Sequence, residues 1–210
     1  MSAGVAEPVS PARGGLKSLL EAVVADGTVV EQNVSLAELT TLRVGGQADW
    51  FAEPQSQADL SALVSASREH GLPVTALGLG SNFLVLDSGV RGLTVRLSAG
   101  VFAGIEVDGS RLKCGAAARM KKVAAEARRC RLAGMEFLEG IPGSVGGGLR
   151  MNAGAMGSEL FDVVETVRFM DPAGEVFEMS AESIESTYRS CPLLKNQIAL
   201  GAVLKGEPDT

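Results

Sequence analysis

Residues 134–157, GMEFLEGIPGSVGGGLRMNAGAMG, constrain this chain more than any other segment. Seven glycines fall between Gly140 and Gly157, and Arg150 is the only charge over that span. Ile141, Val145, Leu149 and Met151 are interleaved with them, so the stretch is not a solvated linker. Glycine lets a backbone adopt positive φ and come close to another group. Main-chain N–H groups exposed at a turn or a helix start gather anionic oxygens. The segment therefore points to a phosphate-bearing ligand gripped by main chain. The purely structural alternative is a tightly packed turn between domains.

The rest of the composition narrows the class. The 210 residues suffice for one large domain or two small ones, and 46% hydrophobic with 21% charged residues is ordinary for a globular protein. Glycine, at 26 residues, is enriched, which favours a loop-rich, ligand-holding fold. A net charge of −6 opposes general nucleic-acid binding, which needs a basic footprint. No apolar run approaches the ~20 residues of a membrane span, and the first fifteen residues carry no apolar signal-peptide core. They read as a flexible tail. Cys114, Cys130 and Cys191 are far apart and include no CxxC pair, as expected of reduced thiols in a cytoplasmic protein. With a single histidine, His70, and no Cys/His cluster, no metal site is expected. His70 precedes Gly71 at a helix end, where cationic character is favourable.

Hydrophobic periodicity predicts helices over 16–26, 56–70, 117–132 and 181–187. It predicts strands over 48–52, 73–77, 83–86, 93–97, 105–107, 112–115, 163–170, 175–179 and 198–205. Residues 33–46 read as loop and turn. Asp108-Gly109 marks a hairpin, and Asp171-Pro172-Ala173-Gly174 marks a second turn. The helix over 117–132 turns Met120, Val123, Ala124 and Ala127 inward. Its other face carries Arg119, Lys121, Lys122, Arg128, Arg129 and Arg131, a stripe that reads as a solvated face or as a phosphate contact. This order is α+β rather than strict βαβ alternation. A boundary near 98–103 divides the chain into halves, 16–98 and 99–210, with the ligand between them.

Two further motifs belong with the glycine segment. Gly78-Leu79-Gly80-Ser81-Asn82 follows an apolar strand; its glycines open the backbone, and Ser81 and Asn82 offer side-chain hydrogen bonds to phosphate. It lacks the third glycine of a dinucleotide fingerprint, Phe83 standing there, and it has no Gly-Lys-Ser/Thr. A glycine turn after a strand also serves a structural purpose by itself. In the long segment, Pro142 fixes the approach and Ser144 can act as phosphate donor or helix cap. Asn152-Ala153-Gly154 gives a second close-approach site. Tyr188-Arg189 follows the last short helix, where an arginine can clamp a carboxylate in bidentate fashion.

Taken together, TTLRVGG at 40–46, GLGSNFLV at 78–85, the segment 134–157 and Tyr188-Arg189 resemble one family, the UDP-N-acetylenolpyruvoylglucosamine reductases of peptidoglycan synthesis. The likeness runs from about Asn33 to Lys205. It implies a two-subdomain FAD-binding fold of the vanillyl-alcohol-oxidase type with noncovalent FAD between the subdomains. By motif match, Gly78, Gly80, Ser81 and Asn82 would hold the pyrophosphate, and Leu79, Phe83, Leu84 and Gly115 would also be cofactor-binding. Gly140, Ile141, Pro142, Gly143, Ser144, Gly146 and Gly147 would line the adenosine and diphosphate path. Arg43, Val44, Gly45, Gly46, Asn152, Ala153 and Gly154 would sit against the cofactor. The family's chemistry moves a hydride from NADPH through flavin to the enolpyruvyl group of UDP-N-acetylglucosamine enolpyruvate, followed by protonation. Arg189 is implied as the catalytic cation facing the substrate carboxylate, where negative charge builds in the transition state, with Tyr188 beside it on the substrate.

The chain departs from the family at three positions: Cys191 where Tyr-Arg-x-Ser is usual, Gln47 for a common proline, and Met156 for a frequent tyrosine. The family's third, substrate-binding domain, source of the proton-donor serine and a glutamate, has no counterpart before Thr210. The expectation is thus the flavin-binding portion of such a reductase, inactive by itself on the natural substrate. Two alternatives stay open, another FAD-dependent oxidase or dehydrogenase of the same fold and a non-catalytic FAD-binding module.

Overall fold

A computed structural model describes residues 13–98 and 100–208. Helix α1 (Arg13–Ala22) packs Leu16 and Leu20 inward and leads into strand β1 (Val29–Ser35). Strand β2 (Gln47–Glu53), helix α2 (Gln57–Glu69), and strands β3 (Val74–Leu77) and β4 (Val90–Arg96) complete a four-stranded sheet ordered β1-β2-β4-β3. In it β1 is antiparallel to β2, while β2 and β3 run parallel to β4.

The remainder forms an antiparallel five-stranded sheet. Its strands are β5 (Ile105–Asp108), β6 (Arg111–Gly115), β10 (Val164–Met170), β11 (Val176–Ser180) and β12 (Ile198–Lys205), in the order β11-β10-β12-β6-β5. Helix α3 (Met120–Arg129), the two-residue strands β7 (Leu132–Ala133), β8 (Gly154–Ala155), β9 (Ser158–Glu159) and β13 (Glu207–Pro208), and the short helix α4 (Val145–Arg150) lie around it. One face buries Leu112, Cys114, Val167 and Leu204 against Met120, Val123 and Leu149 of the two helices. The chain crosses from one sheet to the other between Arg96 and Ile105.

The two sheets share an apolar cluster. Trp50, Leu60, Leu63 and Val95 from the first meet Phe102, Met170, Ile198 and Leu200 from the second. Hydrogen bonds reinforce the junction: Ser61 Oγ donates to Gly174 O at 2.6 Å and Ser65 Oγ to Ala173 O at 3.0 Å. The Asp171–Gly174 turn thus serves as the dock for α2, and a Cβ at Gly174 would lie 2.7 Å from Ser65 Oγ.

Most elements follow the periodicity, and the differences have local causes. The first helix starts at Arg13 and ends at Ala22 rather than running from 16 to 26, because the Ala25 N–H is taken by Asp59 Oδ1 at 2.9 Å. The first twelve residues of the expected tail lie outside the described residues. Residues 33–35, read as loop, complete β1; Asn33 has φ +58° and is skipped in the β1–β2 pairing, so a polar stretch with one left-handed residue hides the alternation. Phe83–Leu86 alternates as a strand would, with Val85 buried and Leu84 and Leu86 exposed, but its backbone bonds go to a neighbouring loop rather than a ladder. Helix α3 is shorter than 117–132, since Ala116 and Ala117 donate to Leu200 O and Phe102 O, and Leu132 enters β7. Only Ala181–Ser183 is helical in 181–187.

The start of α2 is held by one carboxylate. Ser56 caps the helix, and Asp59, 5% exposed, accepts from Ala25 N, from Thr28 Oγ1 at 3.0 Å and from Ser56 Oγ at 2.8 Å. The Ala25 amide, more than the hydroxyls, holds the Asp59 carboxyl below its ordinary value. A depressed folded-state pKa gives stability that is complete above pH ~4 and is lost as pH falls through the folded value. Asp59→Asn should therefore lower stability at neutral pH by about 1–3 kcal/mol and flatten the acid limb of a stability–pH curve measured by urea unfolding. An unchanged acid limb would contradict this role.

Candidate functional site

The two loops of the first sheet are fastened to each other before any ligand is considered. Thr41 N donates to Gly80 O at 3.1 Å, and Leu86 O accepts from both Gly46 N and Gly89 N at 2.9 Å. Glycine is required at the crossings. A Cβ at Gly45 would lie 2.4 Å from Val85 O, at Gly46 2.2 Å from Asp87 O, and at Gly80, with φ +67°, 2.3 Å from Leu39 O. Beneath them Leu36, Phe51, Leu77 and Val85 form a small separate core. Arg43, Val44, Asn82 and Leu84 face solvent, and Arg43 has φ +53°.

The second glycine loop comes from the other sheet and meets the first. Gly143 has φ +122°, and a Cβ built on it would lie 3.7 Å from Ser81 Oγ. A Cβ at Gly78 would lie 3.0 Å from Ser144 Oγ. Ser144 is 3% exposed and stands at the N-cap of α4, yet its side chain makes no capping hydrogen bond. GLGSN and IPGS therefore converge, with Ser81 and Ser144 at the meeting point and Asn82, Pro142 and Gly147 exposed around it.

Other glycines of the segment serve the protein itself. Val145 N and Gly146 N donate to Ala118 O and Ala116 O at 2.9 and 2.8 Å, and a Cβ at Gly146 would lie 2.9 Å from Ala116 Cβ. Gly148, not singled out in the sequence, lets Met120 pack against α4; its Cβ would meet Met120 Cε at 2.2 Å. Gly115 admits the backbone of Phe102. It is the one residue among those selected from the motifs that lines a concavity of about 510 Å³ on the outer face of the five-stranded sheet, beside Lys113, Arg168, Glu106 and Glu178. That mixed-charge hollow is separate from the loop junction.

At the other end of α4, Tyr188 and Arg189 occupy the tip of a two-residue turn. Thr187 and Ser190 exchange backbone hydrogen bonds at 2.9 and 3.0 Å, Arg189 has φ +57°, and its guanidinium carbon lies 5.3 Å from the Tyr188 ring centroid. Both side chains are exposed. Buried Asn152, φ +38°, fastens this turn: its Nδ2 donates to Glu159 Oε2 at 2.6 Å and Thr187 O at 3.3 Å, and its Oδ1 accepts from Phe161 N. The amide of Asn152 is thus spent within the protein. Ala153 O accepts from Leu160 N, and Gly154 pairs with Glu159. Cys191 supports the turn from below, wholly buried, with its N–H on Arg150 O at 3.2 Å. Arg43, Asn152 and Arg189 all hold left-handed backbone, a strain of about 1–3 kcal/mol each that accumulates where position matters.

The six residues of α4 rise about 9 Å.

The model of a family described as FAD binding domain matches residues 48–180, and the chain belongs to that family. Its α+β fold is of the vanillyl-alcohol-oxidase type: 4-ethylphenol oxidase from Gulosibacter chungangensis superimposes with a TM-score of 0.67 at 14% identity, over 95% of this chain and 44% of that one, a likeness of fold alone. Within the family, the resemblance carried by the motifs is to UDP-N-acetylenolpyruvoylglucosamine reductases. One from Methylorubrum extorquens is 43% identical over 84% of this chain and 57% of its own length, and that of Rhodospirillum rubrum is 42% identical over 84% and 55%. The crystal structure of the reductase from Thermus caldophilus matches with a TM-score of 0.75 and 34% identity, covering 87% of this chain and 64% of that one. The chain spans a little over half the length of the curated relatives it matches.

The glycines can be sorted by substitution. Gly80→Ala, placing a Cβ against Leu39 O in left-handed backbone, should cost about 1–3 kcal/mol. Gly140→Ala, with nothing within 4 Å, should stay within about 0.5 kcal/mol. Denaturant unfolding of the two variants measures both, and equal losses would contradict the assignment.

Proposed function

We propose that this chain binds FAD noncovalently between its two halves, 16–98 and 99–210, as the flavin-holding part of a UDP-N-acetylenolpyruvoylglucosamine reductase. The observation that carries this reading is the convergence of Gly78–Asn82 with Gly143–Ser144, two main-chain loops from different sheets with a buried, uncapped serine hydroxyl between them. The residues fit a diphosphate: a Cβ at Gly78 would lie 3.0 Å from Ser144 Oγ and one at Gly143 3.7 Å from Ser81 Oγ, so each glycine leaves main chain open beside a serine hydroxyl that can donate to phosphate. Ser81, Asn82 and Ser144 would donate to phosphate oxygens, and Val44, Leu84 and Pro142 would cover apolar parts of the cofactor.

Bound FAD would supply the hydride relay from NADPH to the enolpyruvyl carbon of UDP-N-acetylglucosamine enolpyruvate. The chain's own contribution is to hold and to orient. Arg189 presents a guanidinium that stabilises carboxylate charge as it grows, which favours the transition state over the ground state. The hairpin bonds and Asn152 fix its position, so that little reorganisation accompanies reaction. Tyr188 stacks against Arg189 and offers a face for the substrate. Noncovalent attachment is favoured by the placement of the usual tethering residues. His70 caps α2, its Nδ1 2.9 Å from Ala66 O. Cys191 is core, and burial pushes the Cys114 thiol up to about 12. Three free thiols suit a reducing cytoplasm, and among the described residues no helix is long and apolar enough to cross a membrane.

The purified chain should carry the visible absorption of oxidised flavin, or acquire it with added FAD. Denaturation should release all of it, with the mass of FAD, into a protein-free filtrate. A chain that stays colourless in excess FAD would overturn the proposal. Flavin retained on the denatured polypeptide would instead favour a covalent oxidase of the same fold.

A further inference from the structure

The glycine loops offer neutral donors, yet a diphosphate carries two negative charges, and the geometry points to Arg119 as the cation that meets them. This rests on the flavin reading and adds to it a residue outside every motif. Arg119 immediately precedes α3 and forms an isolated antiparallel bridge with Ser144. Met120 N extends the contact, donating to Gly143 O at 3.2 Å. Residues directly opposite one another in an antiparallel pair project their side chains to the same face. Ser144 directs its hydroxyl toward Gly78, so Arg119 leaves the backbone on the side of the GLGSN loop.

The neighbouring cations do not compete for this position. Lys121 is paired with Glu139 at 3.2 Å, and Arg129 with Glu126. Arg43, across the groove, lines a separate hollow of about 310 Å³ with Ala37 and Glu38. Arg119 is exposed and makes no ion pair among the described residues. Its guanidinium is free to take two oxygens of a phosphate in the forked geometry that arginine favours. The basic stripe of α3 thus divides by function: its first residue faces the ligand, and Arg128 and Arg129 face solvent.

The test compares FAD with riboflavin, which shares the ring and ribityl chain but carries no phosphate. Arg119→Gln should weaken FAD binding by on the order of tenfold at low salt and remove most of its salt dependence, while riboflavin affinity and thermal stability stay unchanged. Arg119→Lys should restore the salt dependence and part of the affinity, and Arg128→Gln should alter neither ligand. Wild-type FAD affinity and salt response in Arg119→Gln would overturn the assignment and leave the flavin reading standing, as would equal weakening of FAD and riboflavin. Failure of the wild-type chain to bind FAD would overturn both.

Discussion

Everything at the site depends on a close approach of two backbones from different sheets. Gly78 and Ser144 are separated by 66 positions in the chain, yet a single added methyl at Gly78 would touch the Ser144 hydroxyl. That proximity exists because the sheets are joined by a shared apolar cluster and by the grip of α2 on the Asp171–Gly174 turn. Interiors are close-packed and transmit displacement rather than absorb it. The junction is therefore set by residues at the seam between the sheets as well, Ser61, Ser65 and Gly174 among them. Its floor is stabilised separately by the small core of Leu36, Phe51, Leu77 and Val85.

The glycine segment separates into three physical roles that its composition does not reveal. Gly143 gives left-handed backbone where the two glycine loops meet, Gly146 and Gly148 let helices and loops pack, and Gly154 allows the β8–β9 hairpin to close. Only the first role falls where the two glycine loops meet. The others hold α4 and the β8–β9 hairpin in place. This division explains why so many glycines occur together in one segment.

Much of the architecture was readable from periodicity because the elements obey it: Ile198–Lys205 and the inward face of α3 follow their hydrophobic pattern directly. The order of motifs, with the resemblance they carry, pointed to the fold type and to the glycine loops. What escaped was fixed by partners distant in sequence. The end of α1 is decided by Asp59, thirty-four positions away from Ala25. Asn33 breaks the polar strand β1 with a left-handed residue, and Phe83–Leu86 gives its hydrogen bonds to a loop. At the site, local pattern did not show that the Asn152 side-chain amide braces the turn carrying Arg189. Arg119 was one of six basic residues on a helix until its bridge to Ser144 distinguished it. Side-chain direction and backbone pairing between distant segments are not encoded in local pattern.

The most direct test is a crystal structure of the chain soaked or grown with FAD. The account predicts diphosphate oxygens within hydrogen-bond distance of Ser81, Ser144 and the main chain of Gly78–Asn82, with the ring system reaching along α4 toward Arg189. A diphosphate bound instead in the mixed-charge hollow beside Arg168 and Lys113, with the Gly78–Ser144 junction untouched, would contradict it.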